Sequence, residues 1–273
     1  MDKTVFNKFG FMQGRLSPIY NNKIQNFPWR HWKKELNLCK KIGLNRIEWT
    51  LDYPNLLKNP LISNPKNTFK ILKDKNIKMN SITCDFFMQK PFFFKKFLNE
   101  KKIIEQIVNN FKKKKIILVI PLVDKSSIKN TKQEKEIVKF FLFIHKKYLK
   151  RSNIIVCFES DFKVKKLKKF ILKFPKKNFG INYDTGNSAS LGFNCKNELE
   201  NLKDRIYNIH IKDRKFAGNT VRLGYGDFNF KIFFKNIKKT NYKGNFILQT
   251  ARSKNGKHML ELKKNLKFLK NVI

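Results

Sequence analysis

Short apolar runs alternate with longer amphipathic segments along the whole chain, and this alternation limits the fold more than any other feature. Eight runs read as strands: 9–12, 46–51, 79–84, 116–122, 154–158, 180–183, 207–211 and 246–249. They are strand-length and rich in Ile, Val and Phe. Eight other segments repeat apolar residues at helical spacing: 29–42, 65–75, 93–113, 133–149, 164–174, 197–204, 230–239 and 258–272. In the fourth of these, Ile137, Phe140, Phe141, Ile144 and Tyr148 share one face. Strand–helix alternation makes successive strands parallel, because each helix carries the chain back across the sheet. Eight such units predict an α/β fold, a single (β/α)8 TIM barrel spanning residues 1–273. The rival is a doubly wound sheet, which usually carries a Gly-rich phosphate turn after its first strand. Gly10 and Gly14 do not form that turn, and no P-loop signature or interdomain linker is present.

Charge is the second constraint. Lys and Arg number 61 against 20 Asp and Glu, a formal net charge of +41. Such an excess first suggests a polyanionic partner. Only eight of these residues are Arg and 53 are Lys, whereas phosphate and base recognition leans on the bidentate guanidinium. Lys is abundant together with Asn, Ile and Phe, a set that an AT-rich genome enriches at once. The excess is therefore read as solvated surface before it is read as a nucleic-acid interface. Runs such as 112–115 fall at predicted helix ends, where positive charge complements the helix dipole. Hydrophobic residues make up 41%, with 28 Phe, enough for a large core. No uncharged run approaches bilayer length and no secretory h-region opens the chain, so no membrane association is expected. Cys39, Cys84, Cys157 and Cys195 form no CxxC pair and read as reduced thiols of a cytoplasmic protein.

In a barrel the chemistry sits at the C-terminal ends of the strands. There the second half of the chain is polar: Glu159 ends the fifth run, Asp184 the sixth, His210 lies in the seventh and Gln249 ends the eighth. Taken singly, such a Glu is usually a cap or ion-pair partner, and such a His a core or surface residue. One from each successive strand instead suggests carboxylate and imidazole ligands for a divalent metal: Mn²⁺, Mg²⁺, Co²⁺ or Zn²⁺.

The segments GFMQGRLSP (10–18), IGLNRIEW (42–49), DTGN (184–187), HIKDR (210–214) and LGYGDFNF (223–230), in this order, resemble the xylose-isomerase-like barrels. The resemblance is to the sugar phosphate isomerase/epimerase branch, and DTGN is similar to its pentulose-5-phosphate 3-epimerases. It implies a metal-dependent enzyme that abstracts a proton beside a ketose carbonyl and proceeds through an enediolate. It further implies that Glu159, Asp184 and His210 are metal ligands, with Glu159 also the base. The branch has a second Glu where this chain has Gln249, whose amide can offer a metal an oxygen but cannot carry a proton. That departure shifts weight from epimerisation, which needs a second acid, towards isomerisation. It also keeps open dehydration of a keto-sugar or inosose, and a degenerate barrel that only binds sugar.

Other acids could stand in: Glu48, in phase with Thr50 and Asp52, Asp85 after the third strand, and Asp213 beside His210. For Glu48 the competing role is a buried ion pair, and for Asp213 a bond to loop amides or a ligand-orienting role. Asn187, Lys212, Arg214, Arg222 and Arg252 are candidate substrate contacts, with Arg15 a further one. The three Arg of the last two strand–loop regions suit a phosphate. Asn187 could instead cap a helix, and Trp29, Trp32 and Trp49 read as packing before they read as a sugar wall. The expected partner is a small sugar or sugar phosphate, homo-oligomerisation is open, and nucleic acid is not expected despite the charge. A trinuclear nuclease of the endonuclease IV kind needs many His, and this chain has four.

Overall fold

A computed structural model describes residues 7–20, 23–253 and 255–273. Residues 1–6, the start of the segment read for a secretory leader, lie outside this description. The eight predicted strands all form: β1 Phe9–Met12, β2 Arg46–Thr50, β3 Lys78–Thr83, β4 Ile117–Leu122, β5 Ile155–Ser160, β6 Phe179–Asp184, β7 Ile206–Ile211 and β8 Asn245–Leu248. All pair in parallel and close into a barrel, with β1 joining β2 on one side and β8 on the other. Phe9 aligns with Phe246 across that seam, and their rings stack at 5.1 Å.

Eight principal helices form the outer layer: α1 Trp32–Lys41, α2 Pro65–Asp74, α3 Asn99–Phe111, α4 Thr131–Lys147, α5 Val164–Ile171, α6 Cys195–Leu202, α7 Phe230–Ile237 and α8 His258–Val272. The third is shorter than its apolar pattern suggests. Pro91 opens a turn and Lys95–Phe97 is a separate 3-10 turn, so Phe92 enters the core from irregular chain. The first begins at Trp32, because both His31 and Trp32 amides turn back to the Pro28 carbonyl.

Strand parity divides the layers. Trp49, Phe158 and Tyr183 face the helices, where Trp49 meets Trp32 of α1, Phe158 meets Phe170 of α5 and Tyr183 stacks on Phe233 of α7. Trp32 and Trp49 are thus packing residues, with the Trp49 indole N–H donating to Asn59 Oδ1 at 2.9 Å. The opposite parity points Glu48, Asn182, Asn208 and His210 into the barrel, all buried. None of the described lysines is buried, and all four residues of the run 112–115 are exposed after α3. Among the described residues no helix is long and apolar enough to cross a membrane.

The loop after β1 is held by a buried carboxylate. Glu35 of α1 accepts from the Gly14 amide at 2.9 Å and the Leu16 amide at 2.8 Å. Burial outweighs these two donors and pushes its carboxyl up to about 7 from 4.5. A carboxyl raised on folding adds stability below its unfolded pKa and loses it as pH rises through the folded value. Wild type should therefore lose roughly 2–3 kcal/mol relative to Glu35→Gln between pH 4.5 and pH 8, measured by urea unfolding. A pH-independent difference between the two would contradict this.

Candidate active site

Parity and strand order bring the predicted residues to one place. Glu159, Asp184 and His210, from β5, β6 and β7, are buried, and one ligand atom of each lies within 4.8 Å of the others. His210 Nδ1 is 3.1 Å from Glu159 Oε2 and 3.8 Å from Asp184 Oδ2. The opposite ring nitrogen, Nε2, is 2.7 Å from Glu48 Oε1. Glu48 reaches it across the interior from β2, and its other oxygen accepts from Asn208 Nδ2 at 2.8 Å. Of the two roles weighed for Glu48, the buried pairing is the one observed. Its carboxylate lies beneath His210, inside the barrel and fully shielded, and not at the cavity surface.

Asn182 joins the cluster from below. Its amide donates to Glu159 Oε2 at 2.8 Å and lies 3.0 Å from His210 Nδ1. Asn187 donates to the other Glu159 oxygen at 2.8 Å. It does not cap the short helix Thr185–Ser190; Asp184 does, accepting from the Asn187 amide at 2.8 Å with Oδ1. This leaves Asp184 Oδ2 facing the cluster, 3.7 Å from Lys212 Nζ.

The electrostatics follow from this enclosure. Burial alone would lower the His210 pKa, but the flanking Glu48 and Glu159 carboxylates hold it well above the usual imidazole range. Burial opposes ionisation of Glu159, yet His210 and Lys212 hold its carboxyl below the usual value. For Asp184, burial prevails over Lys212 and the pKa rises.

A divalent cation fits this donor set. Asp184 Oδ2 and Gln249 Oε1 are both buried without a hydrogen-bond partner, an arrangement that costs free energy unless a ligand satisfies them. Glu159, Asp184 and His210 Nδ1 would hold the ion, with Gln249 in the lining of the cavity above them. With an ion held at Nδ1, the Nε2–H would still donate to Glu48, a carboxylate behind the imidazole that fixes ring orientation.

Above the cluster lies a cavity of about 250 Å³, the size for a small molecule, lined by Arg15, Asp85, Glu159, Asn187, Lys212, Arg214 and Gln249 among others. Lys212 shares the inward phase of His210, as expected. Arg214 stands at the rim, bonding the Gly218 carbonyl and reaching Asn187 Oδ1 at 3.4 Å. Arg15 is buried in the wall, donating to the Thr250 and Ile24 carbonyls, and burial beside Arg252 lowers its pKa to about 9.

Three further predicted residues, like Glu48, are not at the cavity. Arg222 pairs with Glu261 of α8, its Nε 2.5 Å from Oε1. Arg252 is spent on the carbonyls of Ser17, Pro18 and Ile24, tying the last strand to the loop after β1. Asp213 is out of phase with His210 and points the other way. It accepts from the Gly224 and Gly226 amides, both at 2.9 Å, and from the Phe228 amide at 3.2 Å. A side chain on Gly226 would collide with Asp213 itself, so glycine is needed for the amide to approach. Asn182 and Asn208 belong to the site although neither was singled out in the sequence. Their inward phase with Asp184 and His210 was the available signal.

A family model for the xylose isomerase-like TIM barrel matches residues 36–272, and the chain belongs to that family. A Haemophilus influenzae protein assigned as an L-ribulose-5-phosphate 3-epimerase, SgbU, is 33% identical over 91 residues, 31% of this chain. That stretch spans only 32% of the relative's own length. Among solved structures, the Escherichia coli 3-keto-D-glucoside 4-epimerase YcjR is 15% identical with a TM-score of 0.72, over 97% of this chain and 99% of that one. The IolI protein with a bound zinc atom is 16% identical with a TM-score of 0.71, over 97% and 99%. At such identities the two structures share the fold.

The role of Asp213 as a loop anchor has a direct check. Asp213→Asn places an N–H group against backbone donors and should cost about 1–3 kcal/mol in urea unfolding. Unchanged stability would contradict the role.

Proposed function

We propose that the chain is a divalent-metal-dependent isomerase or epimerase that moves a proton on the carbon beside the carbonyl of a ketose or ketose phosphate. The observation that carries this is the convergence of Glu159, Asp184 and His210 beneath a cavity, with Asp184 Oδ2 and Gln249 Oε1 left without hydrogen-bond partners. Membership of a barrel family whose relatives include sugar epimerases supports the same chemistry.

Glu159 is the base. Its carboxylate is held by Asn182 and Asn187 and kept ionised by His210, so it is oriented and ready to accept a proton. The metal, when bound, supplies positive charge that stabilises the oxyanion of an enediolate. Lys212, beside the cluster, adds positive charge on the cavity side. A phosphate on the substrate would meet Lys212 and Arg214, with Arg15 in the wall behind; Arg222 and Arg252 are committed elsewhere. Glu48 keeps the His210 ring fixed. Of the four His, only His210 lines up with these carboxylates, while His145 and His258 lie on α4 and α8, which speaks against a His-rich nuclease centre.

Gln249 favours a second reading, a barrel that binds sugar without turning it over. One experiment separates the two. The protein loaded with Mn²⁺ and incubated in D₂O with pentulose and hexulose phosphates and free ketoses should place deuterium beside the carbonyl. Chelation should stop the exchange and Mn²⁺ restore it. Glu159→Gln should slow it by about 10²–10⁴-fold. Glu48→Gln should weaken Mn²⁺ binding by about 10–100-fold in calorimetry. Sugar binding without exchange on any member of the panel would favour the second reading. Exchange that survives chelation would remove the metal from the reaction.

A further inference from the structure

Inversion at a carbon requires proton removal on one face and delivery on the other, and Gln249 holds no transferable proton. Three carboxylates line the cavity among the described residues: Glu159, Asp85 and Asp124. Asp124 is exposed at the rim. Asp85 follows β3 in the inward phase of Ser81 and Thr83 and is only 6% exposed. The Thr83 hydroxyl donates to its Oδ1 at 2.8 Å, which fixes the carboxyl plane. Its Oδ2 is buried with no partner. Such an oxygen in a cavity wall is placed to meet a polar group of a ligand.

Resting on the enolisation chemistry above, we propose that Asp85 is the second proton-transfer residue of this site, acting from the β3 side of the cavity while Glu159 acts from the β5 side. Glu159 takes the proton from the carbon beside the carbonyl, and the C–H electron pair becomes the C=C bond of the enediolate. Protonated Asp85 then delivers its proton to the opposite face of that carbon, the carbonyl reforms, and the stereocentre is inverted. Glu159 ends protonated and Asp85 ionised; exchange of one proton with water resets the pair. Burial pushes the Asp85 carboxyl up to about 6, which supplies a protonated fraction near neutral pH.

The test uses the Mn²⁺-loaded full chain in D₂O with L-ribulose 5-phosphate and D-allulose as probes. Deuterium in recovered ketose is read by mass spectrometry and the epimer by chromatography. Wild type should show both. Asp85→Asn should lower inversion about a hundredfold or more and exchange by far less. Adding Gln249→Glu, which places an ionisable group elsewhere in the lining of the same cavity, should return inversion to the Asp85→Asn protein. Thr83→Val, which frees Oδ1 and leaves the carboxyl, should lower inversion more than exchange even if Asp85→Asn does not fold. Inversion by Asp85→Asn within about threefold of wild type overturns the assignment. So does equal loss of exchange and inversion in a variant that still binds Mn²⁺, and so does wild-type exchange without inversion. No exchange by wild type overturns the enolisation chemistry itself.

Discussion

The bond between Glu48 and His210, 2.7 Å long and fully buried, is the interaction around which the site is arranged. A carboxylate inside a barrel is costly unless paired. Here it is paired twice, with His210 and with Asn208, and the pairing runs from β2 across the interior to β7. One consequence is mechanical: the imidazole is held at Nε2, so Nδ1 must face Glu159 and Asp184. Another is electrostatic: negative charge below and beside the ring makes the cluster a place where added positive charge is favourable. Asn182 and Asn187 complete the enclosure by holding both oxygens of Glu159.

The same chain uses buried carboxylates for a different purpose in its loops. Glu35 gathers the amides after β1, and Asp213 gathers those of the Gly-rich segment after β7. Each satisfies several backbone donors with one acidic group, which lets irregular chain be buried beside the cavity. Arg252 performs the converse task, satisfying carbonyls of the loop after β1. The mouth is thus shaped by charged residues that do not enter it. The cavity is left to Glu159, Asp85, Lys212, Arg214 and Gln249.

The charge of +41 takes a modest place in this structure. No described lysine is buried, and the lysine-rich runs lie on the helical layer or at its ends. Lys212 is the lysine lining the cavity above the cluster. Positive potential around the mouth would draw an anionic substrate over a screening length of about 8 Å at physiological salt, without requiring a nucleic-acid surface.

By itself, the sequence determined the architecture and pointed to the cluster of Glu159, Asp184 and His210. Strand-length runs alternating with amphipathic segments leave few alternatives to a parallel barrel, and period two along a strand places Glu159, Asp184 and His210 on one side of neighbouring strands. That periodicity is local, so it survives without knowledge of the fold. It also held the signal that Asp213 is out of phase with His210, which proximity in the chain obscured. Tertiary structure decided what depends on residues far apart in the chain: that Glu48 lies beneath the imidazole 162 positions away, that Arg222 pairs with Glu261, and that Arg252 bonds the loop after β1. Long charged side chains on irregular segments can meet many partners, and only closure of the barrel and its loops selects among them.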